Sequence, residues 1–388
     1  MIKLTKDQDK ALKTITDWYL SKSRSPFLTL GGYAGTGKTT LIALFRGLLN
    51  KEKKDAKVAF CSFTGKATRV LKQTLVENKF IYKSDNISTI HSLIYSPIVN
   101  NGQDIVGWEK KEKINFDLII ADEASMIDQS IWNDLLGYHI PILAVGDHGQ
   151  LPPINGSFNL MSKPQIKLEE IHRQRKGDPI IDISILARHD GFIPVGKYGD
   201  SVIKISRTSD EGSDVINEIL NNFTPGQLIL CGYNVTRLKL NKFIRSNLGF
   251  YSDSPQANDR VICLRNNHEK NIYNGMLGTI KSIEDNDDDT KFAHIEFDDE
   301  DATYKGYILS EQFNNKESLN FTNKRHRTLK SDLFDFGYAL TVHKAQGSQA
   351  SNVILFEERF AKMDDETWRR WLYTGVTRAQ DKLVIVGS

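Results

Sequence analysis

At 388 residues the chain is too long for one ordinary compact core, and its length implies two or three domains. A hydrophobic fraction of 39% with 26% charged residues describes a globular chain, and no unbroken apolar stretch is long enough to cross a bilayer. The net charge of +2, from 51 basic and 49 acidic residues, is too balanced to announce a nucleic-acid binder, so any such surface must be local. The amino-terminal MIKLTKDQDKAL carries charges where a secretory leader needs an apolar run, so a cytoplasmic location is expected. Cys61, Cys231 and Cys263 are scattered without C-x-x-C spacing, which points to small buried hydrophobes and to neither a disulfide framework nor a zinc site.

In chain order, residues 2–21 read as an amphipathic helix. The apolar strand FLTL, residues 27–30, then breaks into glycines and gives way to a helix over 39–49. Between them Gly32, Gly37, Lys38 and Thr39 fit G-x-x-x-x-G-K-[ST] in the strand–loop–helix setting the motif requires. Glycines let backbone N–H groups curl around phosphate oxygens, the helix N-terminus adds partial positive charge, and Lys38 reaches the β- and γ-phosphates. Thr39 is placed to ligate Mg²⁺, and Gly35, Thr36 and Thr40 complete the loop as nucleotide-binding positions. ATP and Mg²⁺ are the expected cofactors. The competing reading, a glycine-rich turn that binds nothing, does not explain the spacing and its context together.

Further strands follow at 57–62, at LIIA before Asp122 and Glu123, and at ILAVG before Asp147. Strands alternating with helices predict a parallel sheet with right-handed crossovers and chemistry at the carboxyl ends of its strands. Asp122 suits metal binding, directly or through water, and Glu123 suits a general base for the attacking water. A phosphate-transferring kinase would need no such base, so the acid pair favours hydrolysis; the bland alternative is a polar strand end. The alternation resumes at QLILC and closes at ASNVILFEE and DKLVIVGS, which suggests a second sheet of the same kind. Two segments interrupt it. Residues 93–115 carry NNGQ between YSPIV and DIVGWEKKEK, a hairpin signal, and residues 274–330 hold GTIKSIE, KFAHIEFDD and TYKGYILS, which read as a small β-barrel insertion. The DNDDD run inside it lacks the glycine and distal glutamate of a calcium loop and reads as solvated.

GYAGTGKT, SFTGKAT, STIHSL, IIADEASM, VGDHGQLPP, LEEIHRQ, ALTVHKAQGSQ and YTGVTRA occur in the order of the superfamily 1 helicase motifs. The G-D-x-x-Q-L-P-P and T-V-H-K-A-Q-G details, with DRVICLRNNHEKNIYNGMLGTI, resemble the RecD/Dda branch, which translocates 5′ to 3′ on DNA. The resemblance covers nearly the whole chain and implies an α/β fold of two RecA-like P-loop domains with parallel sheets, a hairpin insertion and an SH3-like barrel insertion. The implied division is 1–170 for the first domain with its hairpin at about 93–115, 171–273 with 331–388 for the second, and 274–330 for the barrel. It also implies a monomer acting on single-stranded DNA and single-strand/duplex junctions, away from membranes, alongside single-strand-binding, replication or recombination proteins. A bacterial or phage-infected cytoplasm is the matching location, and the short chain fits a phage origin.

The same resemblance assigns residues. Gln8 in LTKDQDKAL matches the glutamine that reads the adenine edge, with an exposed helix polar as the alternative. Gln150 would touch the γ-phosphate, Gly347 of the T-V-H-K-A-Q-G segment would line the nucleotide site, and Arg173 and Arg378 would act as arginine fingers that couple nucleotide state to domain closure. Thr64, Lys66, Thr89, His91, Thr341 and His343 match positions that face single strands, where hydroxyls and imidazoles donate to phosphates without the salt dependence of many lysines. For each histidine a satisfied buried ring is the alternative. Trp108 lies where the family carries a strand-separating pin; it either stacks on the last base pair or covers the hairpin's own small core. The leading expectation is an ATP-driven 5′ to 3′ DNA helicase. The rivals are an ATP-switched single-strand clamp or protein-displacing translocase and, more weakly, a nuclease-helicase, for which no second carboxylate cluster is visible.

Overall fold

The computed structural model describes residues 4–99, 105–153, 158–170, 177–267, 270, 272–287, 289–298, 303–319 and 331–388, apart from the side chains of Lys66, Pro97, Val99, Ile105, Val106 and Glu211. The chain divides into two compact units, Met1–Ile181 and Asp182–Ser388, so the division falls past the expected 170/171. Each is built around a six-stranded sheet.

In the first unit the spatial order is Asn86–Thr89, Val58–Ser62, Leu118–Asp122, Ile142–Gly146, Phe27–Gly32 and Ile166–Leu168, all parallel. Its central strands are unbroken apolar runs, which is what burial on both faces demands. Alternate residues serve opposite faces. Ile120 joins Leu30, Phe45, Phe60 and Val145 on one side, while Ile119 joins Cys61, Ile90, Trp132 and Ala144 on the other. The first helix is Lys6–Leu20, starting later than expected because Thr5 and Gln8 form a reciprocal capping box that fixes its origin.

Tyr95–Val99 pairs antiparallel with Ile105–Lys110 in a two-stranded ribbon outside the main sheet. Its base is fastened to the following helix region. The Tyr95 hydroxyl donates to Asp134 at 2.5 Å, Lys110 lies 3.3 Å from the same carboxylate, and the Tyr138 hydroxyl donates to the carbonyls of Ile94 and Lys111.

The second unit's sheet runs Ala339–Thr341, Gln227–Cys231, Ala350–Phe356, Ala379–Gly387, Val202–Ser206 and Gly196–Tyr198, parallel except at the last pair. A separate five-stranded antiparallel sheet orders Thr303–Leu309, Thr290–Phe297, Leu277–Asp285, Arg260–Cys263 and Phe334–Phe336. It extends past 274–330 at both ends: the buried strand Arg260–Cys263 pairs with Leu277–Asp285, and the buried strand Phe334–Phe336 pairs in turn with Arg260–Cys263. One apolar core joins Ile280, Ile295 and Phe334 to Ile229, Ala339 and Ile354, so this sheet and the parallel one stabilise each other. Buried ion pairs tie them: Arg237 to Asp335 at 2.7 Å and Arg245 to Asp259 at 2.8 Å. In the DNDDD run the Asp287 carboxylate accepts from the Thr290 backbone and hydroxyl, a self-capped turn; Asp288 is outside the described residues. All three cysteines are buried with their thiols pushed up by burial, Cys263 to about 12. Among the described residues no helix is long and apolar enough to cross a membrane.

Candidate nucleotide site and nucleic-acid interface

The strand Phe27–Gly32 delivers the loop and the helix Lys38–Glu52 receives it. Gly35 and Gly37 adopt φ of 78° and 77°, open to glycine at little cost. A Cβ on Gly32 would meet the Thr36 hydroxyl at 2.6 Å, so the cradle closes too tightly there for any side chain. Thr36 is buried, its hydroxyl donating to the Tyr33 carbonyl. The Lys38 ammonium donates to the carbonyls of Gly32 at 2.8 Å and Tyr33 at 3.1 Å, bonds that phosphate oxygens can replace. Thr40 sits half-buried in the helix's first turn.

Gln8 is buried with both ends of its amide engaged. Its oxygen accepts from the Thr5 backbone and its nitrogen donates to the Thr36 carbonyl at 2.9 Å. The amide therefore ties the first helix to the phosphate loop, a contact that reading the helix alone does not reveal.

Asp122 ends the strand beside the loop, buried, and accepts from the Thr39 hydroxyl and the Glu123 backbone N–H. Burial, and then the neighbouring Glu123, push its carboxyl well above the usual carboxylate range; Lys38 and the two hydrogen bonds pull it back. A buried acid whose pKa is raised by burial is stabilised further by a cation. Glu123 stands at φ 54°, a left-handed conformation costing about 1 kcal/mol or more for a side chain with a Cβ, and a short 3₁₀ turn, Ala124–Met126, follows. Among the described residues no group of three or more acids, histidines or cysteines forms an all-protein metal cage. Mg²⁺ takes one or two protein oxygens and completes its shell with phosphates and water, and the Thr39 hydroxyl and Asp122 carboxylate offer two such oxygens.

Gly31 pairs in register with Gly146, so the motif after Ile142–Gly146 lies next to the phosphate loop. The Asp147 carboxylate accepts from Gly149 N–H at 2.9 Å and from the Gln150 amide at 3.3 Å, holding Gln150 buried. The His148 ring packs on Tyr33 with centroids 4.1 Å apart, and burial, slightly offset by Asp147, lowers its pKa to about 4. Neither Tyr33 nor His148 stood out in the sequence, because only the strand order brings them together.

The nucleic-acid candidates share one local design. Thr64 caps Gly65–Glu77 by accepting from Ala67 N–H, Thr89 caps Ile90–Ile94 by accepting from Ser92 N–H, and Thr341 accepts from Lys344 N–H. Accepting uses a lone pair and leaves the hydroxyl hydrogen for another acceptor. His91 lies between Phe63 and Tyr95, and burial lowers its pKa as it does for His343, favouring the neutral form of both rings. Lys66 belongs to the same turn, with its side chain outside the described residues. Thr64 follows Ser62, which pairs in register with Thr89, so these residues share one sheet edge. Gly347 adopts φ 78° in the turn after His343. Arg378 is buried, donating to the carbonyls of Thr374 and Ser348 and to the Thr377 hydroxyl. Arg173 is outside the described residues. Trp108 is 39% exposed in the ribbon's stem, in register with Pro97.

A glycine loop between strand and helix, a Thr–Asp pair at its foot and an acid beside it define a P-loop nucleotide-hydrolase fold. A profile of the AAA domain matches residues 19–156, and one of the UvrD-like helicase C-terminal domain matches 336–386. The ATP-dependent RecD2 DNA helicase of Deinococcus radiodurans is 27% identical over 93% of this chain and 47% of its own length, so the chain spans about half of that relative. The RecBCD enzyme subunit RecD of Buchnera aphidicola is 24% identical over 92% of this chain and 69% of its own length. The ATP-dependent DNA helicase dda of phage T4 is 27% identical over 47% of this chain and 44% of its own. A Pif1 helicase from Bacteroides, solved with ADP-AlF3 and ssDNA, shares the fold at a TM-score of 0.55 and 17% identity over 99% of this chain and 92% of its own. The chain is thus similar to helicases of the RecD kind over most of its length, and to one of the Dda kind over part of it.

Proposed function

We propose that the chain is an ATP-dependent DNA helicase that moves 5′ to 3′ along single-stranded DNA and separates duplex at junctions, working as a monomer beside single-strand-binding, replication or recombination proteins. The observation that carries this reading is the Thr39–Asp122 hydrogen bond at the foot of the phosphate loop, with Glu123 next in sequence. Loop N–H groups seat the phosphates, and the Lys38 ammonium exchanges the Gly32 and Tyr33 carbonyls for phosphate oxygens. Thr39 and Asp122 would hold Mg²⁺, which neutralises phosphate charge when bound. Glu123 takes the proton from the attacking water, and Gln150 meets the γ-phosphate. Arg173 and Arg378 supply positive charge to the transferred phosphoryl group, and Gly347 lines the same site. Gln8 reads the adenine edge by exchanging one of its present bonds.

On this reading the two parallel sheets are RecA-like domains, the antiparallel sheet is an SH3-like barrel, and the ribbon is the pin. Thr64, Lys66, Thr89, His91, Thr341 and His343 face the DNA backbone. The names of the relatives support DNA as the track: two are called DNA helicases, and the Pif1 structure holds ssDNA. A clamp or translocase without efficient unwinding is the second reading, favoured by Trp108 lying within the ribbon's paired stem opposite Pro97.

The test is ATP turnover with and without oligodeoxythymidylate. Strong stimulation is expected; turnover indifferent to DNA would refute a DNA motor.

A further inference from the structure

We propose that Tyr233 and Phe360 form a base-stacking platform for single-stranded nucleic acid at the carboxyl edge of the second unit's parallel sheet, a deepening that rests on the function proposed above. Gln227–Cys231 lies between Ala339–Thr341 and Ala350–Phe356. Cys231 pairs in register with Thr341, and the Val342 N–H donates to the Cys231 carbonyl at 3.0 Å. Tyr233 thus leaves its strand two residues past Cys231, as His343 leaves the neighbouring strand two residues past Thr341, and adjacent strands run about 5 Å apart. On the other side Leu230 pairs with Leu355, and the chain beyond Phe356 brings up Phe360. The two rings meet edge to face, centroids 4.4 Å apart at 83°, and the Tyr233 hydroxyl donates to the Arg359 carbonyl at 3.2 Å. Tyr233 is nevertheless 40% exposed. A ring in T-shaped contact with a neighbouring ring and hydrogen-bonded at its tip, with part of its surface in solvent, offers a π-face to a base at little entropic cost.

A second observation says which part of a nucleic acid this edge can take. Tyr233 is the N-cap of Asn234–Asn247, where unsatisfied N–H groups ordinarily attract a phosphate. Here the Glu358 carboxylate accepts from Gly232 N–H at 2.8 Å, Tyr233 N–H at 3.1 Å and the Thr236 hydroxyl at 2.7 Å. The protein's own acid fills the anion seat, so a phosphate is repelled and the ring is what remains to bind. Contact here is through bases, while the threonines and imidazoles of the neighbouring motifs serve the backbone.

The experiment measures binding of a labelled oligodeoxythymidylate and of an abasic deoxyribose-phosphate strand of equal length by anisotropy, for the full chain and for Tyr233→Ala, Tyr233→Phe and Phe360→Leu. Stacking predicts that Tyr233→Ala weakens the thymidylate strand roughly 5- to 150-fold, that Tyr233→Phe keeps most affinity, and that Phe360→Leu falls between. It also predicts that the abasic strand binds wild type and Tyr233→Ala alike. Equal losses on both strands, or no loss on thymidylate, would overturn the platform. Should Tyr233→Ala not fold, Phe360→Leu against Tyr233→Phe carries the same comparison. Failure of the wild type to bind either strand would instead sink the DNA-motor reading, which separates the two claims.

Discussion

The phosphate-loop edge of the first unit and the buried ion pairs of the second treat charge in different ways. In the first unit Asp122 is buried against neutral donors, and the Lys38 ammonium rests on backbone carbonyls. In the second, Arg237 meets Asp335, Arg245 meets Asp259 and Lys204 lies beside Glu357 at 2.5 Å, all largely buried. Removing one partner of a buried pair strands the other, whereas a charge without a protein partner is poised for a ligand. The phosphate-loop edge can gain charge partners from nucleotide and cation, whereas these three pairs of the second unit are matched within the protein.

The largest effect that sharpens this contrast is at Glu123. Glu123→Gln should slow ATP hydrolysis by roughly 10²- to 10⁴-fold while thermal stability, ATP binding and single-strand binding stay near wild type. Turnover at the normal rate would remove Glu123 from the base role. Two buried arginines come next. Arg237→Ala should destabilise the fold by about 3–5 kcal/mol, read from denaturant unfolding, because Asp335 is left buried and unpaired. Arg378→Ala, which removes hydrogen bonds to the Thr374 and Ser348 carbonyls and the Thr377 hydroxyl, should instead cut turnover on the order of 10³-fold. If Arg378→Ala were only unstable and hydrolysed ATP normally once folded, it would join the structural class.

Trp108→Ala tests a smaller effect, since a stacked base is worth roughly 1–3 kcal/mol. DNA-stimulated ATPase should persist while unwinding of a tailed duplex falls by an order of magnitude or more. Undiminished unwinding would return the ring to packing its own ribbon. The smallest effect is at His148. Its pKa falls from an ordinary 6.5 when unfolded to about 4 when folded, so its contribution is fully present above pH 6.5 and is lost as pH drops toward 4. His148→Gln should flatten stability across that window by roughly 1–2 kcal/mol, discounted for the ring's partial exposure. An unchanged slope would show that the ring titrates normally.

The phosphate loop and the acid pair were readable from residues because local spacing defines them: strand, glycines, lysine, threonine, then an apolar run ending in Asp122 and Glu123. The alternation of strands and helices likewise foretold both parallel sheets. What the residues did not reveal depends on contacts between distant segments. Gln8 gave no sign of its bond to Thr36, nor His148 of its packing on Tyr33. The antiparallel sheet's reach to Arg260–Cys263 and Phe334–Phe336 was hidden for the same reason, because short apolar runs such as RVIC and FDF carry too little periodicity to declare a sheet.

The proposal that phosphate energy becomes directed motion is tested most directly by strand displacement on duplexes with a 5′ or a 3′ single-stranded tail, with and without ATP. ATP-dependent separation of the 5′-tailed duplex, with little or none of the 3′-tailed one, is the predicted result. Preference for the 3′ tail would contradict the assigned polarity, and displacement independent of ATP would contradict a motor altogether.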